Sequence, residues 1–193
     1  MCYERRLIMN RIHNQYHYHQ PDRHSDIRSL VLNLGSRDFL IRGRARVHLM
    51  ELGNEAVDDL AVALDCISDE LLQWEAVKIL AHLHSPGTLP ILINTLEDRN
   101  FSIRWMAARG LIEAGEIAVK PVLKRLIEKP DSAFLREGVH HVCKELTQTE
   151  QHTHCRQLLR AIEAPDSPEN VAVVAAQLLN NLKSTEVNQP SYS

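Results

Sequence analysis

The chain is poor in most of what usually gives a sequence away. Aromatic residues make up 5% of it, and there are only Gly 7 and Pro 8 in 193 residues. So few rings and turn formers leave little material for short strands joined by tight turns. Cysteine is scarce as well. Cys2, Cys66, Cys143 and Cys155 are too few and too irregularly placed for a disulfide framework in a chain this long, and they read as reduced thiols of a cytoplasmic protein. No apolar run reaches the length of a membrane span, and the N-terminus lacks the apolar core of a signal peptide. Neither sign of charge dominates: Lys+Arg 22 stand against Asp+Glu 25, with no basic stripe, which argues against a nucleic-acid partner. A Gly-rich phosphate loop and a Gly-x-Ser-x-Gly elbow are both missing.

What the chain does have is Leu, Ala, Ile and Val at spacings of three and four, within a composition that is 44% hydrophobic. That period is helical, and the fold class it implies is all-α. A longer period lies on top of it. Ala45, Ala76, Ala107 and Gly138 recur every 31 residues, and so do Ile41, Leu72, Ile103 and Phe134, then Leu49, Leu80, Leu111 and Val142. Together these columns make one face of a helix B, with a small residue at its centre that lets a neighbour approach closely. A helix A precedes it, marked by Leu60, Ile91 and Val122, with Pro90 and Pro121 near its start, where a missing N–H costs little. Breakers such as Gly53-Asn54, Ser85-Pro86-Gly87, Gly115 and Pro130-Asp131 separate the units.

The period predicts an α-solenoid of about five antiparallel helix pairs. The helices are expected near 26–34 and 38–52, 55–66 and 69–84, 87–97 and 100–114, 116–129 and 132–147, 151–163 and 169–183. Three regions follow: a His-rich tail over 1–24, a repeat domain over 25–184, and a C-terminal tail over 185–193.

The stretch Leu89-Pro90-Ile91-Leu92-Ile93-Asn94-Thr95-Leu96-Glu97-Asp98, followed by Ile103-Arg104-Trp105-Met106-Ala107-Ala108-Arg109-Gly110-Leu111, resembles a HEAT repeat. It is most similar to the short variety of the phycobilisome lyase subunits. The resemblance covers about residues 26 to 183. The arginine of that pattern is present as Arg42 and Arg104, whereas Gln73 and Leu135 stand in its place in the other two repeats. The resemblance implies a bilin lyase or isomerase subunit acting on phycobiliproteins as one reading. The solenoid itself implies another: a non-catalytic protein–protein interaction module, whether scaffold, adaptor, chaperone or inhibitor, that takes its partner on a concave face.

Two groups of residues carry metal-binding chemistry. His13, His17, His19 and His24 lie in the N-terminal tail, and His140, His141, Cys143, His152, His154 and Cys155 flank a turn. The tail reads as a solvated segment, and the second group falls on packing positions of the repeat, so neither a metal nor any other cofactor is expected. The iron-binding His-Glu pairs of HEAT-like hydroxylases are absent, and no catalytic residue is assigned.

The expected site is instead the face of helix B opposite the buried columns. Stepping by 31 from Gly43 gives Trp74, Trp105 and Arg136, so both tryptophans fall in one slot of adjacent repeats. Arg46, Met50, Lys78, Arg109 and Ile112 surround that slot, and Val47, Val77, Ala108 and Val139 are expected to make the stripe between them apolar. Trp and Arg on an apolar stripe have the composition of an interaction hot spot.

Overall fold

The structure, a computed structural model, describes residues 23–147, 153–164 and 168–187. Among these residues there is no strand. The helices are α1 (Arg23–Asn33), α2 (Phe39–Leu52), α3 (Val57–Cys66), α4 (Glu70–Leu83), α5 (Leu89–Thr95), α6 (Phe101–Ala114), α7 (Glu116–Glu128), α8 (Ala133–Leu146), α9 (Thr153–Glu163) and α10 (Pro168–Val187), with a 3-10 turn at Gly53–Ala56. The fold is an α-solenoid of helix pairs, and the helices fall where the period puts them. Of the tail expected over 1–24, residues 1–22 lie outside the described residues, as do 188–193.

Caps set the register of the B helices. Asp38 accepts the N–H of Leu40 at 2.8 Å, Asp69 that of Leu72 at 3.0 Å, Asn100 that of Ser102 at 2.9 Å and Ser132 that of Leu135 at 3.3 Å. The first three caps stand 31 apart, but Ser132 comes one residue later. Counting from the cap, the third, seventh and eleventh residues are buried in each of the last three B helices: Leu72, Ala76 and Leu80, then Ile103, Ala107 and Leu111, then Leu135, Val139 and Cys143.

Two columns read from the constant 31-residue step are therefore corrected. Phe134 is 43% exposed, and Leu135 takes its place in the core. Trp105 corresponds to Glu137 rather than Arg136. The extra residue is taken up before the cap, where α7 is a 13-residue helix against the 7 residues of α5; the link from α7 to α8, 129–132, is itself no longer than the link 96–100 from α5 to α6. The shift also restores the arginine that seemed lost. Arg42 donates to the Ser36 carbonyl at 2.6 Å and Arg104 to the Asp98 carbonyl at 3.0 Å, each six residues back, and Arg136 donates to the Pro130 carbonyl in the same way.

Gly53 and Gly115 end their B helices with φ of 57° and 61°, a conformation that suits a residue without Cβ. After Gly115 the chain re-enters a helix at once, so Pro121 lies inside α7 rather than in its first turn. Pro90 does sit at the start of α5.

The described residues form two compact units, one ending at Leu83 and the other beginning at His84. In the first, α1 packs on α2, α3 and α4, and α3 pairs with α4. The Arg28 guanidinium reaches Asp59 at 3.3 Å to join α1 to α3. In the second unit α5 pairs with α6, α7 lies beside α5, and α8 lies beside α6.

The last two helices reverse the expected order. α9 packs on α8, continuing the B layer, and α10 returns onto α7 in the A layer. The reason is area. α7 offers Ala118, Val119, Val122, Leu123 and Leu126 for burial, and the 20-residue α10 covers that face with Val171, Ala175, Leu178 and Leu179. The 11-residue α9 has a narrower stripe, Cys155, Leu158 and Ala161. The helix with more apolar surface covers the wider face.

Candidate protein-interaction site

In the first unit the expected site residues gather round a carboxylate. Glu75 on α4 is 5% exposed, and Arg46 reaches it at 3.0 Å, Arg42 at 3.6 Å and Lys78 at 3.7 Å. A buried carboxylate is tolerable only when cations and donors surround it, so Arg46 and Lys78 hold an internal charge. Both still keep about a third of their side-chain surface, 37% and 34%. Trp74 and Met50 are half-buried nearby on α4 and α2, while Val47 is exposed.

In the second unit the site is a groove between α6 and α8, open to solvent and about 350 Å³ in volume. Phe101, Trp105 and Ala108 line it from α6, and Glu137, Gly138, His140, His141 and Lys144 from α8. Trp105 is 39% exposed, and the Arg109 guanidinium lies over its ring at 5.4 Å from the centroid. Arg109 also pairs with Glu113 at 3.1 Å, and His84 meets the same carboxylate at 3.0 Å. The His84 hydrogen bond is the largest influence on Glu113. With help from Arg109 it outweighs burial and holds the carboxyl below the usual carboxylate range.

Arg104 is held more tightly. Its guanidinium lies 4.2 Å from the Phe134 ring centroid and 5.5 Å from that of Phe101, with Glu137 at 3.6 Å. Ile112 is half-buried.

The stripe expected between these residues is less apolar than composition suggests. Val77, Ala108 and Val139 are buried and offer a partner little surface. The groove's other wall was missed for two reasons. The constant step aligned α8 one residue early, and His140 and His141 read as part of a metal-ligand group. Counting from Ser132 instead places Glu137, His140, His141 and Lys144 opposite the slots of Trp105, Ala108, Arg109 and Ile112.

The His/Cys group itself divides. His140 faces the groove and bonds Glu163 at 2.9 Å, whereas Cys143, His154 and Cys155 line an interior cavity. His152, His13, His17 and His19 lie outside the described residues, as does the side chain of His24. Among the described residues, no three His, Cys, Asp or Glu side chains stand together as a metal-holding group. None of the described helices is long and apolar enough to cross a membrane.

Comparison with known proteins agrees with this architecture. The family model for HEAT repeats matches residues 57–141, a span from α3 into α8. No curated protein matches the chain. The cap-anchored repeat, the paired helices and the family match agree on one conclusion: residues 57–141 of this chain carry HEAT-like repeats.

Proposed function

We propose that the chain is a non-catalytic protein–protein interaction module, a cytoplasmic scaffold, adaptor, chaperone or inhibitor, that takes a protein partner and not nucleic acid on the exposed face of its B helices. HEAT repeats generally serve protein interaction, and the observation that carries the reading here is Trp105. It is a large ring, 39% exposed, on the edge of an open groove and backed by Arg109. An exposed tryptophan next to arginine is the composition of a binding hot spot. The opposite wall bears His140, His141 and Lys144 against Glu137, which favours an apolar segment flanked by carboxylates. In the other unit Trp74, Met50, Arg46 and Lys78 supply a similar half-buried patch. Arg136, held by the Pro130 carbonyl, is the weakest member of the set.

The test is affinity capture from the native cell, with mass spectrometry of what co-purifies with the parent chain and with Trp105→Ala. The variant is expected to lose about 2 kcal/mol of binding, roughly thirtyfold, while its folding stability changes by less than about 1 kcal/mol. Undiminished capture, or a loss of several kcal/mol of stability, would remove Trp105 from the site. The bilin-lyase reading draws on repeat resemblance alone, and a phycobiliprotein among the captured partners would bring it forward.

A further inference from the structure

The small interior cavity among α7, α8, α9 and α10 is walled mainly by aliphatic side chains, and two thiols line it. Cys143 is the eleventh residue after its cap. Leu49, Leu80 and Leu111 fill that slot in the other B helices, and each is fully buried. A thiol in a leucine slot occupies less of it, and the cavity lies against this position. Cys155, on the neighbouring α9, is buried to the same 3% exposure. The two thiols line that cavity from helices that pack on each other. His154, beside them, lies 3.4 Å from Glu116 on α7.

We propose that Cys143 and Cys155 form a reversible dithiol–disulfide couple, a site at which a low-molecular-weight disulfide cross-links α8 to α9. Their surroundings divide the roles. The Cys143 hydrogen bond lowers the pKa of the Cys155 thiol, against burial and the Glu116 charge, while the same contact and burial push the Cys143 thiol up. Cys155 is therefore the attacking thiolate. Its sulfur displaces one thiolate from the external disulfide and becomes a mixed disulfide. Cys143 then gives up its proton and attacks the Cys155 sulfur, expelling the second thiolate. One external disulfide is reduced by two electrons to two thiols, and one protein disulfide forms. The proposal is independent of partner binding, so either can fail alone.

The experiment uses the full chain with Cys2→Ser and Cys66→Ser, equilibrated in glutathione buffers of fixed oxidised-to-reduced ratio, quenched, digested and mapped without reduction. The expected product is a Cys143–Cys155 linked peptide that grows with the oxidised fraction and disappears with excess dithiothreitol. In the same background Cys143→Ser should stop at a glutathione adduct on Cys155, and Cys155→Ser should react at least about tenfold more slowly. A pair that stays reduced at every ratio until urea unfolds the chain overturns the proposal. So does glutathione accumulating on the intact pair without the linked peptide, and so do equal rates for the two single variants. If the serine variants fold poorly, the non-reducing map of the parent chain decides alone.

Discussion

The pair α5–α6 and the pair α7–α8 use the same parts: an A helix containing a proline, a capped B helix and a small residue in its middle. Only the first closes fully on itself. α5 and α6 pack directly together, whereas α7 and α8 touch little, α7 leaning on α10 and α8 on α6 and α9. Two differences account for this. α7 is a 13-residue helix where α5 has 7, and the deepest leucine slot of the B helix holds Cys143. A longer A helix has more face to cover, less carbon lies at the contact with α8, and the last helices come in from either side to restore burial. The C-terminal pair therefore completes the core of the fourth repeat rather than stacking as a fifth of the same kind.

The largest test of that difference compares one slot in the two pairs. Leu111→Ala should lose about 2–5 kcal/mol, because a fully buried leucine leaves a void that its neighbours cannot fill. Cys143→Ala removes only a sulfur atom and should cost about 1 kcal/mol, since the site already borders a cavity. Cys143→Leu should stay within about 1 kcal/mol of the parent chain. Urea unfolding of the three variants reads this directly. A loss near 3 kcal/mol for Cys143→Leu would mean that α8 is as tightly packed there as α6, and the contrast between the pairs would go.

Glycine within the B helix gives a second and smaller contrast, this time of sign. A Cβ on Gly138 would stand 2.9 Å from the Leu96 side chain, at the end of α5, so Gly138→Ala should overpack and cost about 1–3 kcal/mol. A Cβ on Gly43 meets nothing within 4 Å, so Gly43→Ala should raise stability by about 0.5–1 kcal/mol through backbone entropy alone. Thermal unfolding of the two single variants should move in opposite directions. Two stabilising substitutions would show that α8 does not press on Leu96.

These contrasts mark how far the sequence could be read. Helices were legible from end to end, because Leu, Ile, Val and Ala recur at the helical period and each break carries Gly, Pro or a capping side chain. Trp105 was legible too, because a residue four short of Arg109 and opposite the buried column must face outward. The other wall of the groove was hidden by one inserted residue. A constant step of 31 cannot register an insertion, whereas capping side chains can, since Ser132 must precede α8 by the same distance that Asn100 precedes α6. The reversed order of α9 and α10 left a fainter trace. It depends on which helix has the area to cover α7, a property of tertiary packing that no local spacing encodes. The placing of Cys143 and Cys155 in one cavity follows from that reversal and was out of reach for the same reason.

The smallest effect tests how the turn between α7 and α8 is held. Glu97, just past α5, receives Arg125 of α7 at 3.0 Å and Lys129 of that turn at 3.1 Å. Burial works to raise the Glu97 pKa, but hydrogen bonds from the Ser132 cap, Lys129 and Arg125 outweigh it and leave the carboxyl below its ordinary value of 4.5. A carboxyl whose folded pKa is depressed binds protons more readily when unfolded. It therefore adds stability above the ordinary pKa and loses it as the pH falls through the folded one. Glu97→Gln should accordingly cost less than about 1 kcal/mol at neutral pH, because Lys129 is half exposed and water screens the pair. The difference between parent and variant should be full above about pH 5 and should shrink as the pH falls below about 4. Unfolding in urea at several pH values, in low and high salt, measures it. A gap that stays constant down to acidic pH would show that Glu97 holds the turn by shape rather than charge, and the link between α7 and α8 would then need no ionic anchor.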